Sequence, residues 1–338
     1  MKGIYLVKNG ALDEAFEVRP LPKQSLEKNQ VRIKIEAFGL NYSDVLARKG
    51  LYGDAPPLPC IVGYECVGYI KEVGQAVTHL NEGDKVLAFT RFGAYAQETV
   101  TDSKGVIKIE EDTPIKDAVA LGTQFCTAYY AAYECLSLHE GDTVLVHSAA
   151  GGVGIALIQL CKAKGCKVIG TVGSDDKFEI AKSFGADHVI NYRKEDFARA
   201  VLKITGKTRV DAIFDAVGGK TFKKGMEILS FGGANVLFGA ASRSKGGFFA
   251  TMKLLFGFGF FTPVKLLMKS QSIIGVNMLR IGDHKPEIIK LCLEKVYELY
   301  QDEIIKPHIG ATFKANEIAS AHALLESRKS KGKIVVEW

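Results

Sequence analysis

Residues 143–154 have the sequence TVLVHSAAGGVG, an apolar run followed by a turn of small residues and the start of an apolar helix. Glycine lets the backbone pass close to a phosphate, and the N-terminus of a helix offers unpaired N–H groups and partial positive charge to it. Ala149 replaces the first glycine of the usual G-x-G-x-x-G pattern, so the match is degenerate. The stretch predicts a strand–turn–helix that binds a dinucleotide.

Short apolar runs and helical segments alternate around this turn. A helical segment at 155–164 and an apolar run at 166–172 complete a right-handed strand–helix–strand unit. The alternation continues with strand-like runs at 186–190, 210–214, 234–238 and 272–276, and with helical segments at 177–184, 196–205 and 220–229. This pattern predicts an α/β fold with a doubly wound parallel sheet.

Length and composition indicate a two-domain protein of a reducing compartment. A chain of 338 residues exceeds one typical core. Its 7 cysteines lack a Cys-x-x-Cys pair, which argues against a disulfide framework and a clustered zinc site. Residues 1–7 lead into strand-like sequence without a signal-peptide core, so a cytoplasmic location is expected. The net charge of +6 is spread along the chain, so no nucleic-acid partner is expected.

The two ends of the chain differ from its middle in the pattern of apolar, charged and glycine residues. Residues 31–36 alternate apolar and charged side chains, and glycines punctuate the short apolar runs up to residue 100. This pattern predicts a β-rich domain with tight turns. The C-terminal part predicts a strand at 304–309, an amphipathic helix at 315–327 and a closing strand at 333–336. We therefore expect a discontinuous β domain, 1–122 and 278–338, around a nucleotide domain at 123–277.

Six short motifs carry a family resemblance and occur in family order. They are NYSD at 41–44, GYECVG at 63–68, GAYA at 93–96, AAGGVG at 149–154, INY at 190–192 and FDAVGG at 214–219. Together they resemble the quinone oxidoreductase branch of the medium-chain dehydrogenase/reductase superfamily. The ending IKPHI at 305–309 and an apolar insertion at about 246–269 are most similar to the vesicle amine transport protein subgroup. The resemblance implies a GroES-like catalytic domain, a Rossmann domain and a homodimer.

The resemblance also predicts that the protein binds no metal. In zinc-dependent members, the catalytic ligands are a Cys, a His and a Cys at the positions that match Asn41, Tyr64 and about Thr123. Neither a phenol nor an amide replaces thiolate and imidazole as a zinc ligand. The structural-zinc cysteines are also missing from residues 88–97.

Without zinc, a conjugated carbonyl is the more suitable hydride acceptor. An isolated carbonyl needs a Lewis acid to hold the alkoxide. A quinone or an enone delocalises the charge, so hydrogen-bond donors are sufficient to stabilise it. We therefore expect reduction of a quinone or another conjugated carbonyl; the alternative within enzymes is an alkenal or enoyl reductase.

The end of the second strand of the nucleotide domain favours NADPH as the cofactor. NAD-specific folds place an acidic residue there, whereas this strand runs into the neutral pair Gly173-Ser174. Asp175 and Asp176 leave NADH open, although as first-turn residues they are more often helix caps. By position, the resemblance implies a cofactor-binding set of Thr127, Ala150, Gly151, Gly152, Val153, Gly173, Ser174, Lys177, Tyr192, Phe238 and Gly239.

Three polar residues are the candidate catalytic groups: Asn41, Tyr52 and Tyr64. Each also has a structural interpretation. Asn41 can fix its own loop, since asparagine side chains often bond nearby backbone. Tyr52 lies in a turn where surface packing is about as common as proton donation, and Tyr64 can simply fill the core. Asp44 is expected to structure its loop or to pair with a cation rather than to act as a base.

Other reactive residue types are expected to be structural. His147, just before the glycine turn, is expected to be buried with its hydrogen-bonding groups paired. The thiols of Cys126, Cys161 and Cys166 are expected to pack in the core without reacting.

The apolar insertion admits three interpretations. Its aromatic part begins at Phe248 and ends at Phe261, and Lys253, two glycines and a nearby proline interrupt it, so it is no membrane span. It predicts a lid over an apolar substrate pocket, a dimer contact or a peripheral membrane contact, in that order. The last would suit a nucleotide-binding protein of a membrane or partner surface with little turnover. The homodimer is expected to form through the strand near 273–276.

Overall fold

The computed structural model describes residues 1–206, 209–241, 252 and 256–338. The chain forms two compact units. Unit 1 comprises Met1–Cys126 and Met278–Trp338, and unit 2 comprises Thr127–Asn277. No helix in the described part of the chain has the length and apolar character needed to cross a membrane.

The strands and helices are numbered in chain order. The strands are β1 Lys2–Leu6, β2 Phe16–Pro20, β3 Gln30–Leu40, β4 Glu65–Val73, β5 Lys85–Phe89, β6 Glu98–Asp102, β7 Val106–Lys108, β8 Thr143–His147, β9 Lys167–Val172, β10 His188–Asn191, β11 Val210–Asp215, β12 Leu229–Leu237, β13 Ser272–Gly275, β14 Ile309–Lys314 and β15 Lys333–Glu337. The helices are α1 Leu12–Ala15, α2 Tyr42–Arg48, α3 Ile115–Ala120, α4 Cys126–Tyr129, α5 Gly152–Ala163, α6 Phe178–Ser183, α7 Phe197–Ile204, α8 Lys220–Ile228, α9 Pro263–Lys269, α10 Met278–His284, α11 Pro286–Gln301 and α12 Ile318–Glu326.

Unit 1 is built on a largely antiparallel sheet in the order β14-β15-β3-β4-β5-β7, with β6 also paired to β3. Strand β3 alternates buried and more exposed positions over part of its 11 residues, as a strand with one face on a core requires. Its buried side chains pack with those of β4, β5 and α12 in one apolar cluster. The C-terminal residues thus complete a sheet begun by the first hundred.

Unit 2 has a parallel sheet in the order β10-β9-β8-β11-β12-β13. Each neighbouring pair is parallel, and helices connect successive strands. The strands and helices fall within a few residues of the ranges predicted from the sequence. The α/β fold with a Rossmann-type parallel sheet is confirmed.

One predicted strand is wrong. The sequence predicted a strand at 304–309, but residues 304–308 form no strand, and β14 begins at Ile309. Pro307 has no N–H to donate to a ladder, and Glu303 is held at φ 57°, a turn conformation. Most of the predicted strand therefore lies before β14.

Most of the predicted insertion's first part, residues 246–251 and 253–255, lies outside the described residues. Of the rest, α9 buries none of its side chains. Phe258 and Phe261 pack on Phe222 of α8, with ring centroids 5.3 and 5.5 Å away.

Candidate functional site

The dinucleotide turn of unit 2 has the predicted strand–turn–helix geometry. Strand β8 ends at His147, Ser148 takes the left-handed conformation with φ 59°, and α5 starts at Gly152. Gly151 is the N-cap and supplies no side chain to the helix start, so the first N–H groups of α5 have no side-chain cap. An uncapped helix start at the carboxyl edge of a parallel sheet suits an anionic diphosphate.

The missing first glycine is compensated by a neighbouring strand. The Ala149 backbone N–H donates to the Thr171 carbonyl at 3.0 Å, which draws the turn against β9. A Cβ on Gly170 would lie 2.7 Å from the Ala149 methyl, so Gly170 provides the space that this methyl occupies. Gly154 keeps its usual role, since a Cβ there would lie 2.3 Å from the Ser148 carbonyl oxygen.

The neutral end of β9 lies beside Tyr192. A Cβ on Gly173 would lie 2.6 Å from the Tyr192 hydroxyl oxygen, so the phenol rests directly on the glycine. Tyr192 remains 43% exposed. Lys177 ends the 3-10 turn Asp175–Lys177 that follows Ser174. The candidate residues for a ribose phosphate therefore share the carboxyl ends of β9 and β10.

Asp175 lies in the first helical turn, as expected, but it is no cap. Its carboxylate accepts a hydrogen bond from Asn191 Nδ2 at 2.7 Å and forms an ion pair with Lys194. These contacts, with Lys194 the larger, hold the pKa of the Asp175 carboxyl below its usual value. The carboxylate is thus bound to the loop after β10.

The remaining predicted cofactor residues lie at other points of unit 2. Phe238 follows β12, and its N–H donates to the Asp215 carbonyl at 3.1 Å. A Cβ on Gly239 would lie 2.7 Å from the Ala216 carbonyl oxygen, so only glycine allows this close approach. Thr127, in α4, is almost fully buried at the start of unit 2.

His147 is buried, but it is only half satisfied. Its Nδ1 lies 2.9 Å from the Thr171 hydroxyl, whereas Nε2 has no hydrogen-bond partner among the described residues. Burial lowers the pKa of the imidazole, so it is neutral near pH 7. The neighbouring strand end holds Asp215, whose Oδ1 accepts from the N–H groups of Val217 and Gly218. Together these contacts brace the turns that follow β8 and β11.

The cysteines expected to be inert are buried. Burial raises the pKa of Cys126 and Cys161 well above the usual value and that of Cys166 to about 11. These thiols stay protonated at neutral pH, as expected of packing residues.

Asn41, in unit 1, belongs to a buried polar cluster. Its Nδ2 donates to Glu65 Oε1 at 2.9 Å, and its Oδ1 accepts from Lys333 Nζ at 3.2 Å. Lys333 also forms an ion pair with Glu65. The backbone N–H of Asn41 donates to Asp44 Oδ2 at 2.8 Å, which is the loop-structuring role expected for Asp44. The carboxamide is therefore fixed at both ends.

Glu65 connects three separate parts of unit 1. Its Oε2 accepts from the Thr123 backbone N–H at 2.9 Å, next to the kink at Gly122. A Cβ on Gly39 would lie 2.1 Å from Glu65 Oε1 and 2.3 Å from Lys333 Cε, so the cluster depends on that glycine. One carboxylate thus connects the start of α2 at Asn41 and the helical turn Leu121–Phe125 to β15.

Tyr52 and Tyr64 form an aromatic corner in unit 1. Their rings meet edge to face at 6.3 Å, and Phe92 packs on Tyr64 at 5.2 Å. Leu279 joins this small cluster. Burial raises the pKa of both phenols, so both hydroxyls carry their protons at neutral pH. Tyr64 is 3% exposed, whereas Tyr52 is only partly buried.

Ion pairs fix the loop that carries Tyr52. Arg280 of α10 pairs with Asp54, two residues after Tyr52. Arg91 pairs with Asp283 of the same helix, and its guanidinium lies 5.5 Å from the Phe92 ring centroid. Helix α10 therefore binds the segments next to Tyr52 and Phe92 through these two ion pairs.

Sequence reasoning missed Lys333, Asn191 and Lys194. Lys333 contacts Glu65 across 268 positions of the chain, and no local pattern signals such a pair. Asn191 was noticed only as part of the INY motif at 190–192, although an asparagine at a strand end is a turn signal.

Two family models match the chain. The alcohol dehydrogenase GroES-like domain matches residues 27–111, and the zinc-binding dehydrogenase model matches residues 152–294. Quinone oxidoreductase-like protein 2 of Bos taurus is 32% identical over 322 residues, which cover 95% of this chain and 87% of that protein. The chain belongs to the medium-chain dehydrogenase/reductase superfamily.

Other members of the superfamily match over nearly the whole chain. The synaptic vesicle membrane protein VAT-1 homolog of Danio rerio is 32% identical over 317 residues, 93% of this chain. The match spans 65% of that relative, so the relative is considerably longer. The crystal structure of Escherichia coli quinone oxidoreductase complexed with NADPH superposes with a TM-score of 0.88 at 27% identity and covers 100% of both chains. The predicted family is confirmed, with both quinone oxidoreductase and VAT-1 relatives.

Proposed function

We propose that the protein is a zinc-independent, NADPH-dependent oxidoreductase that reduces a quinone or another conjugated carbonyl. The observation that carries the proposal is the uncapped start of α5 at Gly151, beside the neutral end of β9 at Gly173. Such a site offers N–H groups to a diphosphate and room for a ribose phosphate. The similarity to the NADPH complex of the Escherichia coli enzyme supports this choice of cofactor.

The residues at this site fit the cofactor. The diphosphate would bind the backbone of the glycine turn, and the ribose phosphate would bind at the ends of β9 and β10. The nicotinamide would lie beside Thr127 and Gly239. The complete set of proposed cofactor-binding residues is Ala150, Gly151, Gly152, Val153, Gly173, Ser174, Lys177, Tyr192, Thr127, Phe238 and Gly239. When bound, the reduced nicotinamide supplies a hydride.

A conjugated carbonyl suits the polar groups of unit 1. The positions that hold zinc in metal-dependent members carry Asn41, Tyr64 and Thr123, which are poor zinc ligands. The cation of this cluster is the buried ammonium of Lys333. Hydrogen-bond donors are sufficient for an acceptor whose negative charge is delocalised. Stoichiometric, chelator-sensitive zinc in the purified protein would contradict this part of the proposal.

Tyr52 is the proposed proton donor, Tyr64 lies beside it, and Asn41 is a second proposed hydrogen-bond donor. Its raised pKa keeps the hydroxyl protonated, and its partial exposure leaves it accessible to a substrate. Asn41 is held in place by Lys333 and Glu65, so its second amide hydrogen is the part left for a substrate oxygen. Preorganised donors of this kind stabilise developing negative charge.

The test is the oxidation of NADPH by the purified protein. An ortho-quinone, a para-quinone and an alkenal are supplied in parallel, with NADH as the cofactor control. We expect turnover with NADPH and a quinone. A preference for the alkenal would indicate the alkenal or enoyl reductase alternative instead. Tight NADPH binding without turnover on any acceptor would contradict the reductase proposal.

A second candidate function rests on an exposed apolar surface of unit 2. Five apolar residues in or near α9 are 67–88% exposed: Phe256 67%, Phe260 88%, Val264 67%, Leu267 77% and Met268 75%. Lys265 and Lys269 lie among them, which suits a peripheral contact with an anionic membrane. Residues 248–251 and 253–255 of the predicted contact lie outside the described residues. Liposome co-sedimentation that is lost when Phe260 and Leu267 are both changed to Ser would support it.

We also propose a homodimer formed through β13. This strand is the last in the sheet order of unit 2, and Ile273 on it is 37% exposed. A strand at a sheet edge offers unpaired backbone groups to a second copy. Sedimentation equilibrium tests the proposal, and a monomer at all protein concentrations would contradict it.

A further inference from the structure

The carboxyl ends of β9 and β10 hold an acidic residue in a defined position. Asp175 lies three residues after the end of β9, close in sequence to where NAD-dependent folds place a ribose-binding carboxylate. Both of its carboxylate oxygens are engaged, Oδ1 by Asn191 and Oδ2 by Lys194. Asp175, one of the two acidic residues that leave NADH open, is therefore already paired.

Asn191 is a fixed partner rather than an adaptable one. It is 4% exposed, and its Oδ1 accepts from the Arg193 backbone N–H at 3.0 Å. This bond sets the amide orientation, so that Nδ2 faces Asp175. The Asn191 carbonyl also accepts from the Lys194 N–H at 3.0 Å, so the same turn positions the lysine. Asp175 is held by a preformed turn.

Lys194 lies next to the proposed ribose-phosphate position. Lys194 and Tyr192 line one depression of about 320 Å³, together with the basic residues Arg193 and Lys224 and the acidic residues Glu195 and Asp196. The Tyr192 hydroxyl rests on Gly173, so this depression adjoins the end of β9. A carboxylate without a cation here would repel a phosphate, whereas the ion pair with Lys194 neutralises Asp175.

We propose that Asn191 and Lys194 are specificity-determining residues, which withhold Asp175 from the cofactor ribose and neutralise its charge so that the site accepts a 2′-phosphate. The inference rests on the proposed NADPH-dependent function. It assigns the preference for NADPH to a sequestered acid, not only to the lack of an acid at Gly173-Ser174.

Direct binding titrations with NADPH and NADH test the inference without any substrate. The first variant is Asp175→Asn, which keeps an acceptor for Asn191 and removes the charge. We expect NADPH to bind about threefold more tightly, the size of an exposed charge effect, and NADH binding to stay unchanged. If Asp175 contacts the ribose hydroxyls instead, NADH binding will weaken tenfold or more, and that result would overturn the inference.

The second variant, Lys194→Met, leaves the Asp175 charge without its cation. We expect NADPH binding to weaken about three- to fivefold, with NADH binding much less affected. Lys162→Met is the matched control, because Lys162 pairs with Asp187 at the amino ends of the same two strands. It makes the same charge change, and both affinities should remain as in the wild type. Equal effects of the two lysine variants would show a general charge effect and overturn the inference.

The outcomes separate this inference from the proposed function. If the wild type binds NADPH but Asp175→Asn and Lys194→Met leave both affinities unchanged, the specificity assignment is wrong and the NADPH-dependent function stands. If the wild type binds neither nucleotide, both are wrong.

Discussion

Lys333 and Glu65 form a buried ion pair between the start of β15 and the start of β4, with 1% and 0% of their side chains exposed. Two charges in a protein interior are tolerated when each is paired and hydrogen-bonded. Glu65 meets this requirement, because Asn41 and the Thr123 N–H occupy its remaining acceptor sites. The pair therefore joins the C-terminal strand β15 to β4 beside the candidate residue Asn41.

Removal of one partner should be costly. We expect Lys333→Met to lower the free energy of unfolding by about 3–5 kcal/mol, because it leaves the Glu65 charge buried and unpaired. Urea denaturation measures the change. The double variant Lys333→Met with Glu65→Gln should lose less than the sum of the single variants, since neither charge remains.

An exposed lysine provides the control for this prediction. Lys8 pairs with Glu14 at the surface, with side chains 64% and 56% exposed. Lys8→Met should leave the free energy of unfolding essentially unchanged, because an ion pair between solvated side chains contributes little to stability. A loss below about 1 kcal/mol for Lys333→Met would mean that the Glu65 site is wetter or more adaptable than the contacts imply.

Tyr52 should matter for turnover more than for folding. We expect Tyr52→Phe to lower kcat for quinone reduction by about 100-fold, the lower end of the range for loss of a positioned proton donor. Steady-state kinetics with NADPH measures this change. Tyr69→Phe is the control, since that hydroxyl bonds Glu111 at the surface. An unchanged kcat in the double variant Asn41→Ala with Tyr52→Phe would remove both residues from the mechanism.

The glycine turn should not tolerate a side chain at residue 154. A Cβ there would lie 2.3 Å from the Ser148 carbonyl oxygen, a backbone atom that cannot rotate away. We expect Gly154→Ala to weaken NADPH binding at least about tenfold, because the turn must open and move the first N–H groups of α5. Gly53→Ala in unit 1 is the control, since no atom of the described residues beyond its chain neighbours lies within 4 Å of that Cβ position. Equal affinities of the two variants would contradict the assignment of the turn.

The sequence could predict the parts of this structure that depend on neighbouring residues. The pattern around residues 143–154 predicted β8, the turn and the start of α5, because period and turn chemistry are local. The same logic placed Asp196 at the start of α7, where its carboxylate accepts from the N–H groups of Ala198 and Arg199. It was wrong at 304–309, where Pro307 breaks an apolar run.

The sequence could not predict contacts made across the fold. Asp175 was expected to cap a helix, but an asparagine from the adjacent strand and a lysine after it bind the carboxylate instead. Lys333 had no signal at all, since its partner Glu65 is 268 positions away. Such pairs are decided by strand order and sheet register, which a single sequence does not contain.

Asp44 should make stability depend on pH in an unusual direction. Burial raises the pKa of the Asp44 carboxyl from 3.8 to about 7. Between these values the native state keeps a proton that the unfolded chain releases, so the contribution of Asp44 to stability falls as the pH rises and then levels off above about pH 7. Asp44→Asn keeps an acceptor for the Asn41 N–H and removes this cost. We expect the free energy of unfolding of the variant, relative to that of the wild type, to rise steadily from pH 5 to pH 7.

Urea denaturation of both proteins at pH 5, 6, 7 and 8 measures this difference. Asp175→Asn is the control, because Lys194 and Asn191 lower the pKa of Asp175 and its contribution is lost only as the pH falls below its usual value. The difference between that control and the wild type should be flat from pH 5 to pH 8. A flat profile for Asp44→Asn would mean that Asp44 is charged throughout this range, stabilised by the Asn41 N–H and the nearby Lys333. If the stability of Asp44→Asn relative to the wild type falls as the pH rises, burial does not raise the pKa of Asp44.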